Sequence, residues 1–469
     1  MSTSVRFGAF EVDLEGRRLL KRGVPITLRE QSFQVLAALI ERAGEIVTRQ
    51  ELCRRLWPSD TFVDFEVALN SAVSRLRDAL GDSVLEGSVW RSGDRIRITV
   101  NLVGLKDGFN LWAQRFDNSL GDLFGIQDEV CAAVAEVLHV RLAAATQKSR
   151  PSNVKAYVQY LKGAHLLKKR RPDDVRSAFE YLQEAIRLEP GYAEPYYGAA
   201  MYYNVSAAFG ALPPCTALPE AEQLLSKGLA LDENSAMLHS TLGMLRMYQW
   251  RWAESEQAHK RAISLEPTNA FPHMAYPILC SLIGRHDEAL SHAGKAVELD
   301  PLDLMTNFRF VQANYYARRY DEAVRTGRIA IELTPDSPYT YFYLALSLAA
   351  LGSKEEAWES ANLGKRLNDR LPLGEGYFGY LAGVLGHVVE ARSVVTELET
   401  RREQGYSPAL PIAWTYLGLG ETTSALQWLE TALAEREPYL GSLTAFPGYD
   451  AIRDQAGFMR LARELKLST

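Results

Sequence analysis

A chain of 469 residues is too long for one small core and should divide into two to four units, and its 47% hydrophobic and 23% charged residues are those of an ordinary soluble protein. No apolar run approaches the roughly 20 residues needed to span a bilayer, and the N-terminal MSTSVRFGAFEVDLEGRR lacks the charged-then-apolar order of a signal peptide; a cytoplasmic location without membrane contact is expected. The net charge of −6, with 12 Lys+Arg against 12 Asp+Glu in residues 1–82, excludes a general affinity for nucleic acid, so any DNA contact must be local.

Residues 5–28 read as short strands joined by turns at Glu15-Gly16 and Arg22-Gly23. Helices follow. REQSFQVLAALIERAGEIV presents Phe33, Leu36, Leu39 and Ile40 on one face, TRQELCRRLWP runs from Thr48 as N-cap to Trp57-Pro58, and VDFEVALNSAVSRLRDALG stripes Phe65, Leu69, Val73, Leu76 and Leu80. At Gly81 the pattern changes into a hairpin expected to turn at Arg91-Ser92-Gly93-Asp94. Ile96, Ile98, Val100 and Leu102 then alternate with Arg95, Arg97, Thr99 and Asn101, the period of a half-buried strand. FNLWAQRFD should be another strand. A helix with Leu123, Val130, Val134 and Val137 on one side comes next, before a polar linker containing Pro151. The expected units are 1–82, 83–145, a linker at 146–155, and 156–469.

The second half keeps a period of 34. Leu231, Leu265, Leu299 and Leu333 are spaced by it, as are Ala221, Ser255, Ala289, Ala323, Ala357, Ala391 and Ala425. Gly284, Gly352, Gly386 and Gly420 mark the preceding turn. A helix hairpin needs one close approach, where only a small side chain fits, and one turn, where glycine relieves strain. Between Leu188 and Leu231 the spacing grows to 43, and AAFGALPPC should bulge as a loop; AIRDQAGFMRLARELKLST suits a capping helix.

With closing prolines at Pro190, Pro267, Pro301 and Pro335, this pattern resembles the tetratricopeptide repeat family over about two thirds of the chain. GEIVTRQELCRRLWP and VDFEVALNSAVSRLRDALGD resemble the OmpR/PhoB-type winged helix-turn-helix, and LEGSV, RSGDR and LWA resemble the closing part of a TolB-like module. The fold class implied is an α+β winged helix, a small α+β fragment and an all-α repeat solenoid. In the winged-helix family the third helix enters the major groove. The resemblance therefore implies DNA contacts by Asn70, Ser71, Ser74, Arg75 and Arg77, opposite the apolar stripe, although any amphipathic helix presents such a solvated face. The family's basic-Gly-Tyr-Arg wing signature is absent after Asp82. Either the wing has been deleted, or residues 84–103 replace it, with Arg91 and Arg95 at the turn beside DNA phosphates. In the repeat family the first helix of each pair lines a concave groove; here Tyr248, Phe308, Tyr315, Tyr316, Tyr339 and Tyr343 would meet a protein or peptide, unless these rings pack between helices.

None of the eight histidines forms HExxH or another helix spacing of metal ligands with an acid, and Cys53, Cys131, Cys215 and Cys280 lie far apart, as buried free thiols would. GxGxxG, GxSxG and GxxxxGK are missing. No metal, cofactor or enzymatic activity is expected, and no receiver domain with a phosphoacceptor aspartate is present. Two functions remain open: a bacterial transcriptional regulator that binds double-stranded DNA and senses a partner through its repeats, or a repeat scaffold with a vestigial winged helix. A catalytic role is a distant third.

Overall fold

The computed structural model describes residues 4–7, 10–13, 18–21, 24–26, 30–41, 83–92, 95–104, 110–119, 126, 129, 130, 133, 151–169 and 171–467. Two compact units meet at Thr146 and Gln147, inside the stretch expected to be a linker.

In the first unit β1 (Ser4–Phe7), β2 (Phe10–Asp13), β3 (Arg18–Lys21) and β4 (Val24–Ile26) form an antiparallel meander. Val12 and Leu19, paired across β2 and β3, are both buried. Helix α1 (Glu30–Glu41) buries Phe33 and Leu36 as its period requires, and also Val35 and Ala38, so its buried face is broader than the one read from Phe33, Leu36, Leu39 and Ile40. The helices expected at 48–57 and 63–81 lie outside the described residues.

A second sheet follows, of β5 (Ser83–Ser92), β6 (Arg95–Gly104) and β7 (Asn110–Ser119), with β6 in the middle. The alternation in β6 puts Ile96 and Val100 into a small core with Phe116 and Ile126, against which Val130 and Ala133 pack in helical conformation.

The second unit is a solenoid. Among its described residues α2 (Val154–Lys169) pairs with α3 (Pro172–Leu188), α4 (Glu194–Ala208) with α5 (Pro214–Leu231), α6 (Ala236–Tyr248) with α7 (Trp252–Leu265), and α8 (Ala270–Leu282) with α9 (His286–Leu299). The same hairpin recurs as α10 (Leu304–Tyr316) with α11 (Tyr320–Leu333), α12 (Pro338–Ala350) with α13 (Lys354–Leu367), α14 (Pro372–Leu385) with α15 (Val388–Gln404), and α16 (Leu410–Gly418) with α17 (Thr422–Ala434). Each residue of the small-residue register, Ala221 to Ala425, sits on the second helix of a pair and is fully buried. Its one polar member, Ser255, donates its hydroxyl to the Gly243 carbonyl at 2.7 Å. The nine extra residues after Leu188 do not bulge out as one loop. They mostly lengthen α4 to 15 and α5 to 18 residues, against 13 and 14 in α6 and α7, because Pro213 and Pro214 supply the extended cap and first-turn position that start a helix.

In the seven hairpins from α4–α5 onward the turn is left-handed at one residue, Gly210 in the first of them. Gly284, Gly352, Gly386 and Gly420 occupy it at φ between 78° and 91°, and Trp250 (φ 59°) and Arg318 (φ 60°) hold the equivalent place in two other pairs. A side chain there costs roughly 1–2 kcal/mol. Both touch the C-terminal segment beyond α17: the Arg436 guanidinium lies over the Trp250 ring at 5.4 Å, and Arg318 pairs with Asp450 at 2.6 Å.

That final stretch does more than cap the end. Two 3-10 turns, Pro438–Leu443 and Pro447–Ile452, return along the concave side against first helices of the pairs, and helix α18 (Ala456–Glu464) packs on α17. Glu437 accepts hydrogen bonds from the backbone N–H groups of Ala409 and Leu410, Thr444 donates to the Leu282 carbonyl, and the Trp252 indole N–H donates to the Leu465 carbonyl. Phe446 enters a cage of Tyr315, Tyr377, Tyr380 and Trp414, and Trp414 donates to the Tyr449 hydroxyl at 2.6 Å. Tyr439, Leu440, Leu443, Phe446, Tyr449, Ile452, Phe458 and Leu461 are all buried. Apolar burial on this scale holds the segment in place.

Candidate nucleic-acid face and solenoid cavity

Pairing of Ser92 with Arg95 leaves residues 93 and 94 between β5 and β6, so the connection lies one residue on from the turn read at Arg91-Ser92-Gly93-Asp94. The same register sets Arg91 opposite Ile96 and Arg95 opposite Ser92. Directly paired residues share a face and neighbours alternate, so the positions of Arg91 and Arg95 fall on opposite faces, and Arg91 is on that of the buried Ile96. Arg95 shares its face with Arg97 and Arg115, which alternate with the apolar residues of β6 and β7. The Arg97 Nε donates to both Asp117 oxygens at 2.8 and 3.1 Å, and Arg115 pairs with Asp117 at 3.2 Å. Hydrogen bonding from Arg97, against a smaller opposing effect of desolvation, holds the Asp117 carboxyl below its ordinary range. Three guanidinium groups around one carboxylate leave this face net positive. The sequence showed the alternation of Arg95 and Arg97; Arg115 joins them only through the β6–β7 register.

Residues 23–92 match the family model described as "Transcriptional regulatory protein, C terminal". That segment is an OmpR/PhoB-type regulator domain. Over 72 residues the chain is 43% identical to "Putative adenylate cyclase 3" of Rhizobium meliloti (strain 1021), covering 15% of this chain and 12% of that protein. Over 83 residues it is 34% identical to the "Phosphate regulon transcriptional regulatory protein PhoB" of the same organism, covering 18% of this chain and 36% of that one. The chain thus spans only a minor part of these relatives. Among solved structures it is similar to Pseudomonas aeruginosa pilF, with a TM-score of 0.34 and 16% identity over 45% of this chain and 94% of that one. The chain's own helix pairs at a 34-residue period define the tetratricopeptide-type solenoid. Within the regulator domain Asn70, Ser71, Ser74, Arg75 and Arg77 lie outside the described residues; the match includes β5 with Arg91 and stops before Arg95.

The six rings assigned to a peptide groove separate into two sets. Tyr315, Tyr316 and Tyr343 are at most 3% exposed and lie in the core of the half closed by the C-terminal segment, with Phe446 against Tyr315. They are not surface for a partner, because the chain itself covers them. Tyr248, Phe308 and Tyr339 border a cavity of about 730 Å³, but Tyr248 and Phe308 are as buried as the first set, at 2% each, and belong to the same core, and Tyr248 touches Tyr439 of the C-terminal segment, so Tyr339 alone of the six rings is half-buried. The cavity wall also includes Met201, Met244, Met274, Met305, Phe209 and Phe271; Lys168, Lys169, Arg171 and Arg176 stand at its rim with Asp174, Asp336 and Asp369. An Arg171–Asp336 ion pair at 3.4 Å joins the α2–α3 turn to the α11–α12 turn across the mouth.

Deep in this cavity lies Arg309, which sequence reading passed over. It is 3% exposed, donates through Nη1 to Gln312 Oε1 at 2.5 Å and lies over the Phe308 ring at 5.2 Å. From Gln312 the hydrogen bonds run to the Tyr343 hydroxyl at 2.8 Å, and from there to Tyr316 and Tyr377. Among the described residues no carboxylate pairs with Arg309, and its Nε has no hydrogen-bond partner. No signal in NFRFVQANYY separates this arginine from those of a solvated face.

Among the described residues no group of three or more His, Cys, Asp or Glu could hold a metal ion, and no helix is long and apolar enough to cross a membrane. Of the thiols expected to be buried, Cys280 is; Cys215 is exposed in the first turn of α5, and Cys53 and Cys131 lie outside the described residues.

Proposed function

We propose that this chain is a cytoplasmic transcriptional regulator whose first unit binds duplex DNA and whose solenoid senses a molecule held in its cavity; its activity is binding rather than catalysis. The observation that carries the reading is the regulator-family match over residues 23–92, joined in one chain to a repeat solenoid. In this reading Asn70, Ser71, Ser74, Arg75 and Arg77 meet DNA from the third helix. The β5–β6 hairpin acts as the wing and is braced by β7, with Arg95, Arg97 and Arg115 toward phosphates. The family match running through β5 supports that role; the register counts against Arg91 as an equal partner of Arg95. A protein or peptide partner could reach only the open half of the groove, where Tyr339 is the half-buried ring of the six.

Fluorescence anisotropy of the full chain on duplexes from its own upstream region, at two salt concentrations, tests this. Arg75→Ala should cost roughly 1–3 kcal/mol and relax preference at one base position, whereas Arg95→Gln should weaken all duplexes alike and reduce the salt slope by about one. Absence of binding to any duplex at low salt would leave the scaffold reading in its place.

A further inference from the structure

We propose that the cavity in the open half of the solenoid is a receptor site for a small organic monoanion, with a carboxylate head paired to Arg309 and an acyl or aryl body against the methionine and aromatic wall. Arg309 is the reason. A buried charge normally has a counterion, since leaving one unpaired in a low-dielectric interior is costly. Here the guanidinium is 3% exposed, has no carboxylate partner among the described residues and keeps an unpartnered Nε, within the lining of a cavity large enough for a drug-sized molecule. A planar guanidinium with an unpartnered Nε matches a carboxylate in shape and charge.

The wall specifies the rest of the ligand. Met201, Met244, Met274 and Met305 are four of the eight methionines in the chain, and all four border this one space. They lie on the first helices of successive pairs, α4, α6, α8 and α10, so the repeat geometry stacks them along one side. Thioether side chains adapt to irregular apolar shapes and make favourable contacts with rings, so this wall suits an acyl or aryl body. The charge count favours a monoanion. Arg309 is the deep cation, whereas Lys168, Lys169, Arg171 and Arg176 belong to the rim, where Arg171 already pairs with Asp336, Lys169 with Asp174 and Arg176 with Asp173. A phosphate monoester dianion would keep an uncompensated charge in the interior.

This inference deepens the reading of the solenoid as a sensor, and its test uses no DNA, so the two can fail separately. Isothermal titration and thermal melting of the full chain would use dodecanoate below its micelle concentration, with dodecan-1-ol, dodecyltrimethylammonium and dodecyl phosphate as comparisons. Dodecanoate should bind one per chain and raise the melting temperature. Dodecanol should bind at least about tenfold more weakly, dodecyl phosphate more weakly than dodecanoate, and the ammonium not at all. Arg309→Met should lose about tenfold or more of the dodecanoate affinity while the unliganded chain melts no earlier, because a thioether replaces an unpaired buried charge. The proposal is overturned if dodecanoate does not bind, if the alcohol binds as tightly, or if a folded Arg309→Met chain keeps full affinity. Tighter binding of dodecyl phosphate overturns the monoanion assignment. Should Arg309→Met prove unstable, the carboxylate-against-alcohol comparison on the unaltered chain still decides.

Discussion

The concave face of the solenoid has two halves built from the same repeat, and they have opposite fates. In one half Tyr315, Tyr316, Tyr343, Tyr377 and Trp414 receive Phe446 and Tyr449 from the chain's own C-terminal segment. In the other, Tyr339 and four methionines border a cavity, and an arginine without a carboxylate partner among the described residues lies in its depth. Aromatic residues on first helices therefore do not by themselves make a binding groove. What decides is whether another part of the chain covers them. A filled half can be optimised for packing, whereas an open half keeps a strained element, here a buried charge without a counterion, which is the usual mark of function over stability.

The largest expected effect separates the halves by packing. Phe446→Ala should cost roughly 3–5 kcal/mol in denaturant unfolding, since it removes a fully caged ring, while Met244→Ala, facing the cavity on one side, should fall at or below about 2 kcal/mol. Equal costs would mean that the halves are equally packed.

The next effect depends on pH. Burial pushes the Glu437 carboxyl up to about 7, against the opposing pull of the Ala409 and Leu410 N–H groups. An acid whose folded pKa is raised contributes stability that is fully present below its unfolded value, near 4.5, and lost as pH rises through about 7. Glu437→Gln should remove that fall, which is at most about 3 kcal/mol for a shift of this size. Thermal melts from pH 4.5 to 8 would show it as a flatter profile; an unchanged profile removes Glu437 as the source.

Smaller still is the effect at the turns. A Cβ at Gly352 would meet nothing within 4 Å, so Gly352→Ala isolates the left-handed backbone and should cost roughly 1–2 kcal/mol. Arg318→Gly relieves the same strain but loses a partly exposed ion pair with Asp450, worth about 0.2–1 kcal/mol. Its net effect on unfolding should lie within about 1 kcal/mol of zero. A large loss at Arg318 would show that this contact anchors the segment far more strongly than an exposed pair should.

Sequence reading found the elements that repeat. The 34-residue register located every small residue at a helix contact because each repeat solves the same packing problem in the same phase. It could not find the cover of the groove: Pro438–Ile452 has no period, and its partners lie as far away as Phe209, 230 residues before Tyr439. Leucine, tyrosine and phenylalanine in that stretch look the same whether they cap an end or line an interior. Trp250 and Arg318 stand where other repeats carry glycine, and both touch this segment. In the first unit the hairpin was legible from alternation, but the faces of Arg91 and Arg95 followed only from the strand register. Arg309 was invisible for the converse reason, since burial of a charge is decided by neighbours on other helices.

Hydroxyl-radical footprinting of the full chain, read residue by residue, tests the division of the concave face most directly. Met305 and Tyr339, at the open cavity, should be modified readily, and Tyr315, Tyr316, Tyr343 and Phe446 should be protected about as well as the helix-contact core. Equal modification of the two sets would contradict a groove half filled by its own chain.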